Sequence, residues 1–423
     1  MSVSQAPFAA YCIEDFRQLA RQTLPRMVFD FFDGAAGSEV TLRSNREALD
    51  RIKLVGSAPV DVGQRSLAIE LFGRRRAMPI IIGPTGLAGA GWPKADIALA
   101  QAASDRGIPF VMSTAATSTM EEVAGVSSGS HWFQLYLFRD RAMSERMVAR
   151  ADEMGFEAIE VTVDCALAGR RLRDSRNGFS LPMRWGAAQL AQLAVRPRWA
   201  WRMARAGAPR LAVMAQELGL AHTETIAEIM QQQLDPTVSW ADVQWLRKRW
   251  RHPLIVKGLM NPAQARMALE VGADAIVVSN HGGRQLDGSI SSIDILPEFV
   301  AEVGKRLPIL VDSGFRSGSD IAKALALGAT AVQIGRATLY AASVGGVTAV
   351  TQALDILRSE LDVAMGLMGL TSVDEFDSSM VRNAAVASSA TGTAVNSDEE
   401  VRTLGGNGAN GAARGRVNYA GAK

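Results

Sequence analysis

Ala275-Ile276-Val277-Val278-Ser279-Asn280-His281-Gly282-Gly283-Arg284-Gln285-Leu286-Asp287 decides how this chain is read. Its first four residues are apolar and mostly β-branched, the pattern of a strand buried on both faces. The strand then stops, and polar, ionisable and glycine residues take over. Two glycines between His281 and Arg284 let the backbone approach a ligand closely. Arg284 can grip a carboxylate with two parallel hydrogen bonds. His281 can take a proton from the adjoining carbon or hydroxyl. A single histidine beside glycines is just as easily an ordinary loop residue, so the rest of the chain has to decide.

Working outward, seven more short apolar runs recur, at 79–82, 109–113, 132–136, 158–164, 253–257, 308–313 and 331–335. Helical patterns at 94–105, 139–154, 240–250, 262–271, 319–327 and 347–364 separate most of them. Buried strands alternating with helices imply a parallel sheet, and eight such units imply an α/β fold of the (β/α)₈ TIM-barrel type. A doubly wound sheet is the competing architecture. The glycines of Gly86-Leu87-Ala88-Gly89-Ala90-Gly91 are wrongly spaced for its dinucleotide fingerprint. Nearly every run ends on a polar or ionisable residue: Thr85, Ser113, Gln134 and Tyr136, Thr162 and Asp164, Lys257, Ser279 and His281, Asp312, and Arg336. A barrel needs no such rim to fold, and barrel enzymes place their chemistry at that end.

The expected layout is an N-terminal helical cap at 1–70 and a barrel at 71–384. A long basic and aromatic insertion follows the fourth strand, at about 175–232. The tail at 385–423 is rich in Ala, Gly, Ser and Asn and is expected to be disordered, since it has too little apolar surface to offset ordering entropy. A net charge of +2 over 423 residues gives no reason to expect nucleic-acid binding. Cys12 and Cys165 lie far apart, so no disulfide framework is expected. No signal peptide and no apolar run of spanning length is visible. The four histidines, His131, His222, His252 and His281, have no ligand spacing among them, and no metal is expected.

Three constellations carry chemistry. Asp312-Ser313-Gly314-Phe315-Arg316-Ser317-Gly318 and Gly335-Arg336 end the last two strands. Exposed backbone N–H groups, two arginines and following helix N-termini make them a phosphate site, in the loops where barrels often bind phosphate. Lys257 closes an apolar run, where a lysine is costly unless paired. It is either a Schiff-base lysine or a cation for negative charge on a bound ring. Asp164 can orient His281 and stabilise its imidazolium, or can cap the next segment.

Taken together, Ser279 to Asp287 resembles the signature of the FMN-dependent 2-hydroxy acid oxidase and dehydrogenase family. Pro84-Thr85-Gly86, Ser113, Gln134-Leu135-Tyr136, Thr162-Val163-Asp164 and Lys257-Gly258 match its flavin-binding strand ends. The resemblance covers about residues 10–375. It implies FMN as cofactor and oxidation of an (S)-2-hydroxy acid to the 2-keto acid. It makes His281 the base, Arg284 the main carboxylate clamp and Arg171 a second, movable clamp. Tyr136 would bond the substrate hydroxyl, Asp164 would support His281, and Lys257 would sit near flavin N1 and O2. Pro84, Thr85, Gly86, Ser113, Gln134, Thr162, Ser279 and Asp312 would line the flavin, with Gly314, Arg316, Gly335 and Arg336 on its phosphate. It also implies a homotetramer.

Two departures from that family matter. Phe31 stands where a tyrosine usually bonds the substrate carboxylate, and Leu172 replaces a usual glutamate beside Arg171. Losing one hydrogen bond to a charged group costs roughly 1.5–3 kcal/mol, which argues for an aromatic, mandelate-like acid over glycolate. Gly86 stands where oxidases of the family commonly carry alanine, so oxygen is expected to be a poor acceptor.

Between 175 and 216 there are seven arginines and no acid, interleaved with Trp185, Trp199 and Trp201 and broken by Pro182, Pro197 and Pro209. This is the composition of short interfacial helices. Mandelate-oxidising members of the family carry a similar membrane-docking segment. The chain is thus expected to lie peripherally on the cytoplasmic side of the inner membrane and to pass electrons to a membrane quinone or another carrier. A basic lid over the site is the plainer reading of the segment. Alternatives for the whole chain are an oxygen-using oxidase and a non-catalytic flavin-binding docking protein.

Overall fold

The computed structural model describes residues 7–126, 129–179, 186–218, 232 and 234–383. The tail from 385, Trp185 and Pro182 lie outside the described residues. Eight parallel strands close into a barrel: β1 (Ile80–Ile82), β2 (Phe110–Ser113), β3 (His131–Leu135), β4 (Ala158–Thr162), β5 (Leu254–Leu259), β6 (Ala275–Val278), β7 (Ile309–Val311) and β8 (Ala331–Ile334). Each strand pairs with the next, and β8 pairs with β1 through Val332, Gln333 and Ile334 against Ile80, Ile81 and Ile82. Almost every strand residue is buried, because helices cover the outer face and side chains fill the inner one. All eight apolar runs of the sequence became these strands.

The helices match with two exceptions of interest. Ser292–Val303 is helical despite Pro297 in its interior, because Ile293, Leu296, Phe299 and Val303 bury one face against the barrel. The helix after β8 runs over Arg336–Leu367 and is interrupted at Gly345 and Gly346. A side chain at Gly345 would meet the Phe8 ring at 2.1 Å, so the break makes room for the N-terminal segment.

The cap is formed by Ile13–Thr23, Arg26–Asp33 and Val40–Arg51. Asp287, the last residue of the signature stretch, fixes it to the barrel by accepting the backbone N–H groups of Ser38 at 2.8 Å and Thr41 at 3.0 Å. Ile52–Leu54 pairs antiparallel with Val381–Asn383, joining the cap to the end of the described chain. Residues 1–384 belong to one compact unit.

The insertion contributes Ala187–Ala194, Pro197–Ala206 and Ala212–Leu218. Here the structure corrects the sequence reading. Trp199 is not available to a membrane: it is 2% exposed, and its indole N–H donates to Ala90 O at 3.0 Å. Met203, Leu211, Val213 and Met214 are buried with it. Composition could not separate the two roles, since a tryptophan that docks a helix on a barrel and one that enters lipid sit in the same Arg-rich context. Trp201, on the opposite side of its helix, is 63% exposed and carries Arg205 over its ring.

Candidate active site

The C-terminal ends of β4 and β6 bring Asp164 and His281 together. His281 Nδ1 lies 3.2 Å from both carboxylate oxygens of Asp164. Partial burial alone would raise the pKa of Asp164. His281, Lys257 and a hydrogen bond from Cys165 outweigh that and hold it below the ordinary value. Two backbone features make the pairing possible. His281 adopts φ 57°, a strained conformation for a non-glycine residue, and its N–H donates to Ser279 Oγ at 3.0 Å. Gly258 has φ 99°, and a Cβ there would sit 2.7 Å from the Asp164 side chain. Gln285 braces the other side by donating to Asp164 O at 2.9 Å and Leu167 O at 3.0 Å.

Lys257 projects from β5. Its ammonium is paired with Asp312 and donates to Ser279 Oγ at 2.9 Å. Burial opposes its charge, but Asp312, Glu160 and Asp164 outweigh burial and raise its pKa. It therefore remains an ammonium. A Schiff-base role needs a free amine and is disfavoured. Below it, Glu160 of β4 is fully buried and bonded by Gln333 of β8. Burial pushes its pKa up to about 7 against the attraction of Lys257.

Three arginines lie on the opposite side. Arg284 Nη1 donates to Phe31 O at 2.8 Å and Gly34 O at 2.9 Å, which fixes the plane of the guanidinium. Arg171 is held by Asp174 at 2.8 Å. That bond supplies the support that Leu172 cannot give. Phe31 lies between these groups: Arg284 and Arg171 sit over its ring at 5.2 and 5.5 Å, and Phe179 stacks on it at 4.4 Å. Burial, then repulsion from Arg171 and Arg336, pull Arg284 well below the ordinary arginine pKa. An arginine does not give up its proton in a protein, so the site is poised for an anion. Arg336 donates to Phe32 O, Gly282 O and Gly34 O, and so acts on a ligand mainly through its charge and its position at a helix N-terminus.

An open cleft with a cavity volume of about 130 Å³ lies among these groups. Its walls include Phe31, Pro84, Thr85, Gly86, Lys257, His281, Arg284, Asp312, Gly314, Arg316, Gly335 and Arg336. Gly314 has φ 96° and packs against Asn45, so a side chain would not fit there. Ser113, Gln134, Thr162 and Ser279 are buried at the strand ends. Tyr136 and Thr162 face a small adjoining pocket with Cys165. Asp164 and Arg171 are not on the cleft wall itself.

Several buried polar atoms here have no protein partner: Thr85 Oγ1, Gln134 Nε2, Thr162 Oγ1 and Gln333 Oε1. Orphans cost free energy unless a ligand or water satisfies them. Loops bearing Gly314, Arg316, Gly335 and Arg336 at one end, a buried ammonium and unmet amide and hydroxyl groups elsewhere fit FMN. Sequence reasoning missed Cys165, Glu160, Gln333 and Asp174. An acid inside an otherwise apolar strand was the available signal for Glu160.

A family model described as FMN-dependent dehydrogenase matches residues 20–383. The (S)-mandelate dehydrogenase of Pseudomonas putida is 42% identical over 380 residues, 89% of this chain and 95% of that protein. The L-lactate dehydrogenase of Caulobacter sp. (strain K31) is 40% identical over 372 residues, 87% of this chain and 97% of that protein. A crystal structure of the monotopic membrane protein (S)-mandelate dehydrogenase superposes with a TM-score of 0.85 at 40% identity, covering 89% of this chain and all of that one.

Proposed function

The chain belongs to the FMN-dependent dehydrogenase family, and on that premise we propose that it oxidises an aromatic (S)-2-hydroxy acid of the mandelate type to the 2-keto acid. The observation that carries this reading is the placement of the His281–Asp164 pair beside Arg284 and Phe31 at the mouth of one cleft. When bound, FMN supplies the two-electron acceptor. Pro84, Thr85, Gly86, Ser113, Gln134, Thr162 and Ser279 would hold the ring side of the cofactor. Gly314, Arg316, Gly335 and Arg336 would hold its phosphate.

The protein's own groups divide the remaining work. Arg284, with Arg171, binds the substrate carboxylate. Phe31 offers an apolar face to an aromatic side chain. His281 takes the substrate proton, and the Asp164 carboxylate stabilises the resulting imidazolium. Lys257, kept charged by Asp312, offsets negative charge gained by the cofactor. Tyr136, which lines a pocket with Cys165, bonds the substrate hydroxyl.

A mandelate-type acid is favoured over lactate or glycolate by the Phe31–Phe179 stack. A quinone or other carrier is the acceptor in this reading. Gly86 is consistent with it, since a methyl there would press on Ala115 at 3.0 Å. The finer assignments, a homotetramer and docking on the cytoplasmic face of an anionic membrane, belong to the same proposal. Among the described residues no helix is long and apolar enough to cross a membrane. Leu190, Val195 and Trp201 are exposed beside the arginines of the insertion, and each such arginine contributes about 1 kcal/mol at an anionic surface.

The purified protein should be yellow, and its flavin absorbance should bleach anaerobically on adding (S)-mandelate, with glycolate much slower. A protein that takes up no FMN, or that no 2-hydroxy acid bleaches, would overturn the reading. Phe31→Tyr should tighten the apparent Kd of small acids by about 10–100-fold, the equivalent of one charged hydrogen bond. Unchanged Kd values for every acid would mean that residue 31 does not meet the substrate. In flotation, the intact protein should rise with anionic vesicles, and Leu190→Ser with Trp201→Ser should leave it at the bottom while flavin reduction persists. Intact protein that stays at the bottom would reduce the insertion to a lid.

A further inference from the structure

No step of the reaction uses the Cys165 thiol itself, which donates to Asp164 Oδ1. It follows Asp164 directly and lies opposite His281, 117 residues further along the chain from Asp164, so no ligand spacing in the sequence could have revealed the cluster. Its Sγ is 3.3 Å from Asp164 Oδ1 and 3.7 Å from His281 Nδ1, while Nδ1 is 3.2 Å from Oδ1.

We propose that Asp164, Cys165 and His281 form a site for a thiophilic divalent cation, Zn²⁺, and that its occupation switches the enzyme off. The geometry is the argument. Tetrahedral zinc holds sulfur at about 2.3 Å and nitrogen or oxygen at about 2.0–2.1 Å, which sets ligand-to-ligand edges of about 3.3–3.6 Å. The three edges here, 3.7, 3.3 and 3.2 Å, match to within a few tenths of an ångström, so the donors need almost no movement. The donor set of one thiolate, one imidazole and one carboxylate suits zinc and excludes calcium or magnesium. His281 and Asp164 keep 24% and 14% of their side chains exposed, which gives an entry path.

Zinc would take the place of the Sγ proton, which would pass to solvent, and of the Nδ1 proton, which the neutral imidazole would carry at Nε2 instead. It would also occupy the carboxylate that His281 relies on. An imidazole bound to zinc through Nδ1 carries its proton at Nε2 and has no lone pair there to take the substrate proton. The inhibitory half of the proposal rests on His281 being the base; the binding half does not.

The test uses the FMN-loaded protein and Zn²⁺ alone. Calorimetry should find one tightly bound Zn²⁺ per chain, and rapid mixing should find flavin reduction by (S)-mandelate suppressed and restored by chelator. Cys165→Ala and Cys165→Ser should bind Zn²⁺ more weakly by at least the 10–100-fold that losing a mere outer partner costs, roughly, and each variant's flavin reduction, measured against its own metal-free rate, should lose less to a given Zn²⁺ concentration than the wild type's. Equal zinc affinity in these variants, or no binding by the wild type, would overturn the site. Should the variants not fold, X-ray absorption of the zinc-loaded wild type decides, since a sulfur shell at about 2.3 Å supports the site and its absence overturns it. Zinc bound with sulfur while reduction continues would overturn the inhibition and the role of His281 as base. A flavin that no 2-hydroxy acid reduces even without zinc would sink the functional reading, and calorimetry would still decide the site.

Discussion

The pair between His281 Nδ1 and Asp164 is the interaction on which the site depends. The proposed role of His281 has it accept a proton next to fixed positive charge, against its surroundings, and Arg284, Arg171, Arg336 and Lys257 all supply positive charge here. The Asp164 carboxylate is the local counterweight, and it stays ionised because His281 and Lys257 outweigh the cost of burying it. Much of the nearby architecture exists to hold this one contact. Gly258 clears space for the carboxylate, Ser279 receives the His281 backbone, and Gln285 ties down the loop after β4.

A second balance runs through the barrel floor. Lys257 is charged because Asp312 and Glu160 surround it, and Glu160 in turn is bonded by Gln333. The two balances meet at Ser279, which accepts from both Lys257 and the His281 N–H. The cofactor side and the substrate side are therefore mechanically linked through one hydroxyl. The cap joins the same arrangement from above, since Phe31 and Gly34 supply the carbonyls that orient Arg284.

The fold was largely legible because strands buried on both faces leave continuous apolar runs, and because their polar ends announce the working rim. The candidate residues were legible for the same reason: Lys257, Asp164, His281 and Asp312 each end such a run. What escaped was set by three-dimensional neighbours. Asp174 takes over the support of Arg171, three residues away on one helical turn. Trp199 packs on Ala90 although its surroundings read as interfacial. Cys165 gains meaning only when His281 is brought beside it, and Ser292–Val303 hides behind Pro297. Gln285 and Asp287, which looked like part of a chemical signature, turn out to hold loops together.

The most direct test of the central claim is the anaerobic rate of flavin reduction in Asp164→Asn, measured by rapid mixing with saturating (S)-mandelate. An amide keeps the shape and removes the charge that stabilises the imidazolium. The account predicts a fall of about 10²–10⁴-fold with FMN content and flavin spectrum unchanged. Reduction at the wild-type rate would contradict it.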